Sequence, residues 1–139
     1  MTARKIPDGF ERQRAPSPLT APWEPIYSKT TEDAIVLGLW RDVPHTNRRG
    51  FAHGGLIAAL TDKAMGHSCG HKLRGVHSLV TVSMSIDFIG SGQVGQWIEI
   101  ATDVIKAGKT LCFAQCVVTA DGEIIARANA TFRVVKKAA

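Results

Sequence analysis

One helix-length segment, Leu56-Ile57-Ala58-Ala59-Leu60 continuing through Ala64 and Met65 toward Cys69, is apolar almost all round and stands alone among strand patterns. A helix without a polar side must be wrapped by other elements rather than laid on a surface. Gly70 reads as its C-terminal stop. Beyond it the period changes from helical to two: Val80, Val82, Met84, Ile86 and Phe88 alternate with Thr81, Ser83, Ser85 and Asp87, which predicts a strand with one buried face.

Three further strands are expected over Trp97–Ile105, Thr110–Val118 and Ile124–Val134, the last lined by Ile124, Ala126, Ala128, Ala130, Phe132 and Val134. Ala107-Gly108 and Asp121-Gly122 supply tight turns, so these four strands read as an antiparallel meander. Ahead of the helix, Ala34–Trp40 reads as a buried first strand and Arg41–Ala52 as a loop. Strand, helix, then four strands is an α+β order, with one sheet curled round one helix.

At 139 residues and 45% hydrophobic, the chain has room for one domain with a real core. Residues 1–22 carry Pro7, Pro16, Pro18 and Pro22 and are expected to form a poorly structured lead-in; residues 23–139 are expected to form the domain. No apolar run approaches the roughly 18 residues of a membrane span, and the N-terminus lacks the apolar segment of a secretory signal, which places the protein in the cytoplasm. Three cysteines then read as reduced thiols; Cys112 and Cys116 share a strand face about 13 Å apart, too far to bond.

The net charge of +5 favours an anionic partner. Basic residues are scattered (Arg48, Arg49, Lys72, Arg74, Lys106, Lys109, Lys136, Lys137) with no interleaved aromatics, which makes nucleic acid a weak reading, and a phosphorylated small molecule accounts for the charge as well.

Chemistry concentrates where the loop enters the helix. Asn47-Arg-Arg-Gly50-Phe-Ala-His53-Gly54-Gly55 ends on two glycines whose amides, uncovered by side chains, point from the positive end of a helix dipole. Such a helix start stabilises a developing oxyanion. Asp62 is the one carboxylate on the helix, and its neighbours three, four and seven positions away (Gly55, Ala58, Ala59, Met65, Gly66, Cys69) offer no partner. A carboxylate on so apolar a face is presented to a cavity or to another chain, where desolvation suits it to act as a base.

Eight residues separate Gly54 from Asp62, roughly 12 Å along the axis, so one chain cannot bring both to one carbonyl. A two-fold mate must therefore supply the acid, and two identical sites per dimer follow. His53 is either a general base or a ring that ties down the Gly-Gly turn, the second being the commoner role. Asn47 either orients water or a substrate carbonyl or closes its own turn. Thr81, on the polar side of its strand, can hold a nucleophilic water or needs no task.

Several other motifs fail. Gly108-Lys109-Thr110 mimics the end of a phosphate-binding P-loop but lacks its first glycine and following helix. His67, Cys69 and His71 lack a fourth ligand, so no metal is expected, and there is no Gly-x-Ser-x-Gly.

Asn47, Gly50, His53-Gly54-Gly55 and Asp62, followed by Gly108-Lys109-Thr110, resemble the PaaI-type (phenylacetate-pathway) hotdog-fold thioesterases over about residues 32–135. The resemblance implies a five- or six-stranded sheet round a long helix, paired edge to edge into a dimer and again into a tetramer. It implies hydrolysis of an acyl-CoA, aryl-acetyl or medium-chain, without a cofactor. Asp62 would activate water or attack the thioester, and the Gly54 amide, with Gly55, would hold the oxyanion. Asn47 would sit at the carbonyl or water, and Thr81 would help place the nucleophile from the facing subunit. Lys106, Gly108, Lys109, Thr110 and Leu111, with Phe88, would line the coenzyme A groove. A thiolate leaves without strong acid help, so base and oxyanion donors suffice. Two alternatives stand beside this reading: a non-catalytic acyl-CoA-binding module, and a hotdog hydratase or dehydratase, for which Pro44-His45 is the only hint.

Overall fold

The structure, a computed structural model, describes residues 4–14, 16–75 and 77–136. Lys137 of the basic tail lies outside them. Seven strands and one long helix follow in the order β1 (Glu11–Arg12), β2 (Tyr27–Thr30), β3 (Ile35–Trp40), α1 (Gly54–Lys72), β4 (His77–Phe88), β5 (Trp97–Ala107), β6 (Leu111–Ala120) and β7 (Glu123–Lys136). They form one antiparallel sheet of order β1-β2-β3-β5-β6-β7-β4. It curls round α1, the α+β arrangement expected of a hotdog fold.

Leu56, Ile57, Leu60, Thr61, Ala64, Met65, Ser68 and Cys69 form the buried face of α1. They pack on inward residues of the sheet, including Leu37, Leu39, Ile98, Ile100, Val118 and Phe132. In β6 the alternation is regular: Cys112, Ala114, Cys116 and Val118 point to the helix, while Leu111, Phe113, Gln115 and Val117 point away. Burial holds the thiols of Cys69, Cys112 and Cys116 above their usual range, Cys116 at about 11, so all three are inert core residues.

The helix is not wrapped on every side. Ala58, Ala59, Asp62 and Gly66 are only half-buried, so the apolar character of that face serves a cleft rather than the core. The helix also passes Gly70 and ends at Lys72; the chain turns at Arg74 and Gly75, both at positive φ, with Gly75 N–H donating to Gly70 O.

Three strand expectations need correction. The meander is β5–β6–β7 alone, because β4 pairs with the far edge of β7. A bulge between Thr81 and Ser83 reverses the inward side of β4, leaving Val80 and Val82 more than half exposed and turning Thr81 toward the helix. A second irregularity, opposite Val118 and Thr119, buries Ile125 and leaves Ile124 exposed. The Asp121-Gly122 turn is as expected, both residues at the positive φ of a two-residue hairpin.

Within the lead-in, residues 4–14 and 16–22 include short ordered pieces. Glu11 and Arg12 pair with Ser28 and Tyr27. Phe10 meets Trp97 edge to face at 5.2 Å, and Thr20 is buried in a turn that leads into a 3-10 helix at Ala21–Trp23. The prolines rule out a long helix but not these short pieces, whose aromatic and hydroxyl groups find partners far along the chain.

Candidate functional site

Asp62 lies midway along α1, half-buried, and accepts a 2.7 Å hydrogen bond from Thr81 Oγ1. The helix offers it no partner, as expected; this one comes from β4 of the same protomer. Both residues line a cleft of about 560 Å³ whose other walls include Leu19, Ala59, Gly66, Leu79 and Phe132. Lys63 and His67 also reach it. Loss of solvent around them, and for His67 the neighbouring Lys63 ammonium, hold both below their usual pKa ranges, although the His67 ring keeps access to water. The cleft sets the apolar Leu19, Ala59, Leu79 and Phe132 beside the hydroxyl-bonded carboxylate, with polar side chains making up the rest of its wall.

The other candidate residues sit at the start of α1. His53 is the N-cap, and its Nδ1 accepts from Gly55 N–H at 2.8 Å. That bond fulfils the structural reading of His53. The Gly55 amide is thereby engaged by the cap. Gly54 N–H donates to no group among the described residues, so one free amide remains at the positive end of the helix. A side chain on Gly54 would meet the Phe88 ring at 3.2 Å, which explains a glycine where the helix start and β4 converge.

Asn47 does what its turn reading required: Oδ1 accepts from Arg49 N–H at 2.9 Å and Phe51 N–H at 3.1 Å. The same bonds leave its Nδ2 as a donor fixed in direction, and Asn47 lines a second cavity, of about 210 Å³, with Gly54 and Phe88. Its two readings are therefore compatible. Beneath this loop lies a residue the sequence did not single out, Arg41. It is fully buried, with Nη1 donating to Thr46 Oγ1 at 3.2 Å and Nη2 to Gly50 O at 2.6 Å. An arginine after a strand ending in Trp carries no signal by which it could have been found.

Lys106, Gly108, Lys109, Thr110 and Leu111 form the β5–β6 hairpin, closed by Gly108 N–H to Leu111 O at 2.9 Å. Lys106 and Lys109 are exposed and belong to no ion pair among the described residues. Thr110 O accepts from Val134 N–H, whereas Phe88 pairs with Ala126, eight positions away on β7. At the strand rise that is roughly 26 Å, so Phe88 and the hairpin do not share a groove within one protomer.

His45 and His71 tie distant segments together. His45 is buried, accepts at Nδ1 from Asp42 N–H at 2.9 Å, and so donates from Nε2 to Trp23 O at 2.8 Å. This occupation of both ring nitrogens deprives the hydratase alternative of its histidine. His71 Nε2 faces Thr31 O and Glu32 O. Among the described residues no group of three His, Cys, Asp or Glu could hold a metal ion, and no helix is long and apolar enough to cross a membrane.

Known proteins share this sequence and architecture. The "Putative esterase PA0474" of Pseudomonas aeruginosa is 31% identical over 130 residues, which cover 93% of this chain and 97% of that one. The mouse protein named acyl-coenzyme A thioesterase 13 is 36% identical over 89 residues, 63% of each chain. A Streptococcus mutans protein crystallised bound to acetyl CoA superposes with a TM-score of 0.69 at 26% identity, covering 77% of this chain and 85% of that one. The profile of the thioesterase superfamily matches residues 49–126, from the Asn47 turn through the helix and into β7. The chain belongs to the thioesterase superfamily.

Proposed function

We propose that the protein is an acyl-CoA thioesterase of the PaaI type that acts as a dimer, each site joining Asp62 and Thr81 of one protomer to Gly54 and Asn47 of its mate. The observation that carries this is the division of the machinery: the Thr81-bonded carboxylate and the free Gly54 amide line separate cavities of one protomer. The mouse relative is named for acyl-CoA hydrolysis and the streptococcal structure holds acetyl CoA, which supports coenzyme A as the thiol.

A free edge on β4, with Val80 and Val82 exposed, is suited to pair with a second copy. Antiparallel pairing there brings the Gly54 end of one protomer toward the Asp62 end of the other. Ile105, Phe113 and Val117 on the outer sheet face would be covered by pairing two dimers into a tetramer. The Lys106 and Lys109 ammoniums supply charge for the coenzyme A phosphates, with Phe88 of the mate beside the pantetheine.

In the reaction, the Gly54 N–H and Asn47 Nδ2 donate to the thioester oxygen as it becomes an oxyanion. Asp62, oriented by Thr81, either takes the proton of an attacking water or attacks the carbonyl itself. Coenzyme A thiolate departs and the free acid remains. No cofactor is required by this scheme, and substrate and product fit the cytoplasm. Free thiol appearing from a panel of aryl-acetyl and straight-chain acyl-CoAs tests it; no release from any member refutes it and leaves a binding module. A single turnover in ¹⁸O water separates the two routes, since label enters Asp62 only if it is the nucleophile.

A further inference from the structure

Asp62 shares its cleft with a segment that the catalytic scheme does not use. Ser17, Leu19 and Thr20 of the N-terminal segment line the cleft opposite α1. The turn is built rather than draped. Ser17 Oγ and Thr20 Oγ1 lie 3.0 Å apart, Ser17 N–H and Thr20 N–H each donate to the other's hydroxyl, and Ala21 N–H donates to Ser17 O at 2.9 Å. Thr20 is buried, and Trp23 beyond it packs on the core and accepts from His45. Leu19 is different: it is 67% exposed yet lines the cleft, so it serves no core contact.

A thioester carbonyl at Asp62 has two directions to extend. The coenzyme A side is amide-rich and ends in phosphates, which belong with solvent and the lysine hairpin. The acyl side is apolar and belongs where water is displaced from apolar walls, here Leu19, Ala59, Leu79 and Phe132. Gly66 deepens the same cleft, since a side chain there would reach the Phe132 ring at 3.4 Å.

We propose that the Ser17–Thr20 turn is the far wall of the acyl subsite and that Leu19 sets the longest acyl chain accepted; this rests on the thioesterase reading above. It gives the N-terminal segment a role in selecting substrate, with medium-length chains ending against Leu19.

The test measures kcat/KM for butanoyl-, octanoyl- and dodecanoyl-CoA with the wild-type protein, Leu19→Trp, Leu19→Ala and Gly66→Ala. Leu19→Trp is expected to lower the octanoyl-to-butanoyl ratio at least about tenfold and Leu19→Ala to raise the dodecanoyl-to-octanoyl ratio, in line with what methylenes contribute to pocket discrimination. Ratios within about twofold of wild type for both Leu19 variants overturn the proposal. Gly66→Ala fills the cleft from the helix side, where alanine favours the fold. Loss of octanoyl selectivity in that variant alone shows an acyl chain that occupies the cleft without reaching the turn, and also overturns it. Failure of the function reading looks different: the wild-type protein then releases thiol from none of the three and from no aryl-acetyl-CoA, whereas release from aryl-acetyl-CoA alone overturns only the chain-length proposal.

Discussion

The two ends of α1 hold chemistry in different ways. At the middle and C-terminal part, Asp62 stands on a regular helix and is steadied by a single bond from Thr81 on a regular strand. At the N-terminal end, Gly54 and Asn47 belong to an irregular loop held by many bonds: Arg41 to Thr46 and Gly50, Asn47 to Arg49 and Phe51, His53 to Gly55. A carboxylate needs only position and a dry face, which secondary structure gives. An amide donor needs its N–H left free and aimed, which requires a loop whose other polar groups are all engaged. The helix places the two ends roughly 12 Å apart, which is why the proposed site draws one from each protomer.

The comparison is most exposed to tests that disable one end at a time. Asp62→Asn is expected to lower kcat about 10³-fold or more while far-UV circular dichroism and dimer mass stay as in wild type; undiminished thiol release would break the assignment of that end. Gly54→Pro deletes the amide, since proline is tolerated at the first helical position and His53 already has the extended backbone a following proline requires; Gly54→Ala, which adds the same Cβ against the Phe88 ring but keeps the N–H, is the control that isolates the amide. A loss of about 10²-fold in kcat is expected for Gly54→Pro. Mixing the two inactive variants one to one then decides whether the ends belong to different protomers. Half the dimers are mixed and each carries one intact site, so recovery of roughly a quarter of wild-type activity is expected, and none if each protomer is self-sufficient.

Smaller effects sharpen the contrast. Arg41→Met should cost about 2 kcal/mol of unfolding free energy in urea, because it strips Gly50 O and Thr46 Oγ1 of their buried donors, and should weaken kcat in step with Gly54→Pro. Thr81→Val, which removes the one bond at the other end, should lower kcat about tenfold with little change in stability. The smallest effect is on pH. His67 binds its proton less readily folded than unfolded, so the folded protein loses stability as pH falls below about 6.5 and gains it as pH rises through that window. Urea midpoints at pH 5 and 7 should differ less for His67→Gln than for wild type.

How much of this could be read from the chain varies by residue. The helix, the sheet strands and Asp62 followed from period and composition, because burial of one face imposes a repeat that side chains cannot hide. The free edge and both bulges did not. Val80 and Val82 have the same spacing from Met84 as a continuous strand, and nothing local marks the extra residue that turns Thr81 inward. The loop before the helix was half legible: His53-Gly54-Gly55 announced two amides, but only the folded structure shows the His53 ring claiming the Gly55 amide. The prolines of residues 7–22 argued against regular structure and so concealed the turn that walls the cleft.

By itself, the sequence determined that one apolar helix must lie inside one curled antiparallel sheet, that a lone carboxylate would ride on that helix, and that bare amides would open it. These are properties of repeat, residue type and spacing along a single element. Tertiary structure alone decided which amide stays free, which hydroxyl meets Asp62, that Arg41 braces the loop before the helix, and that the N-terminal turn lines the Asp62 cleft. Each of these depends on groups far apart in the chain, and hydrogen bonds and cleft walls form between neighbours in space, whatever their separation in sequence.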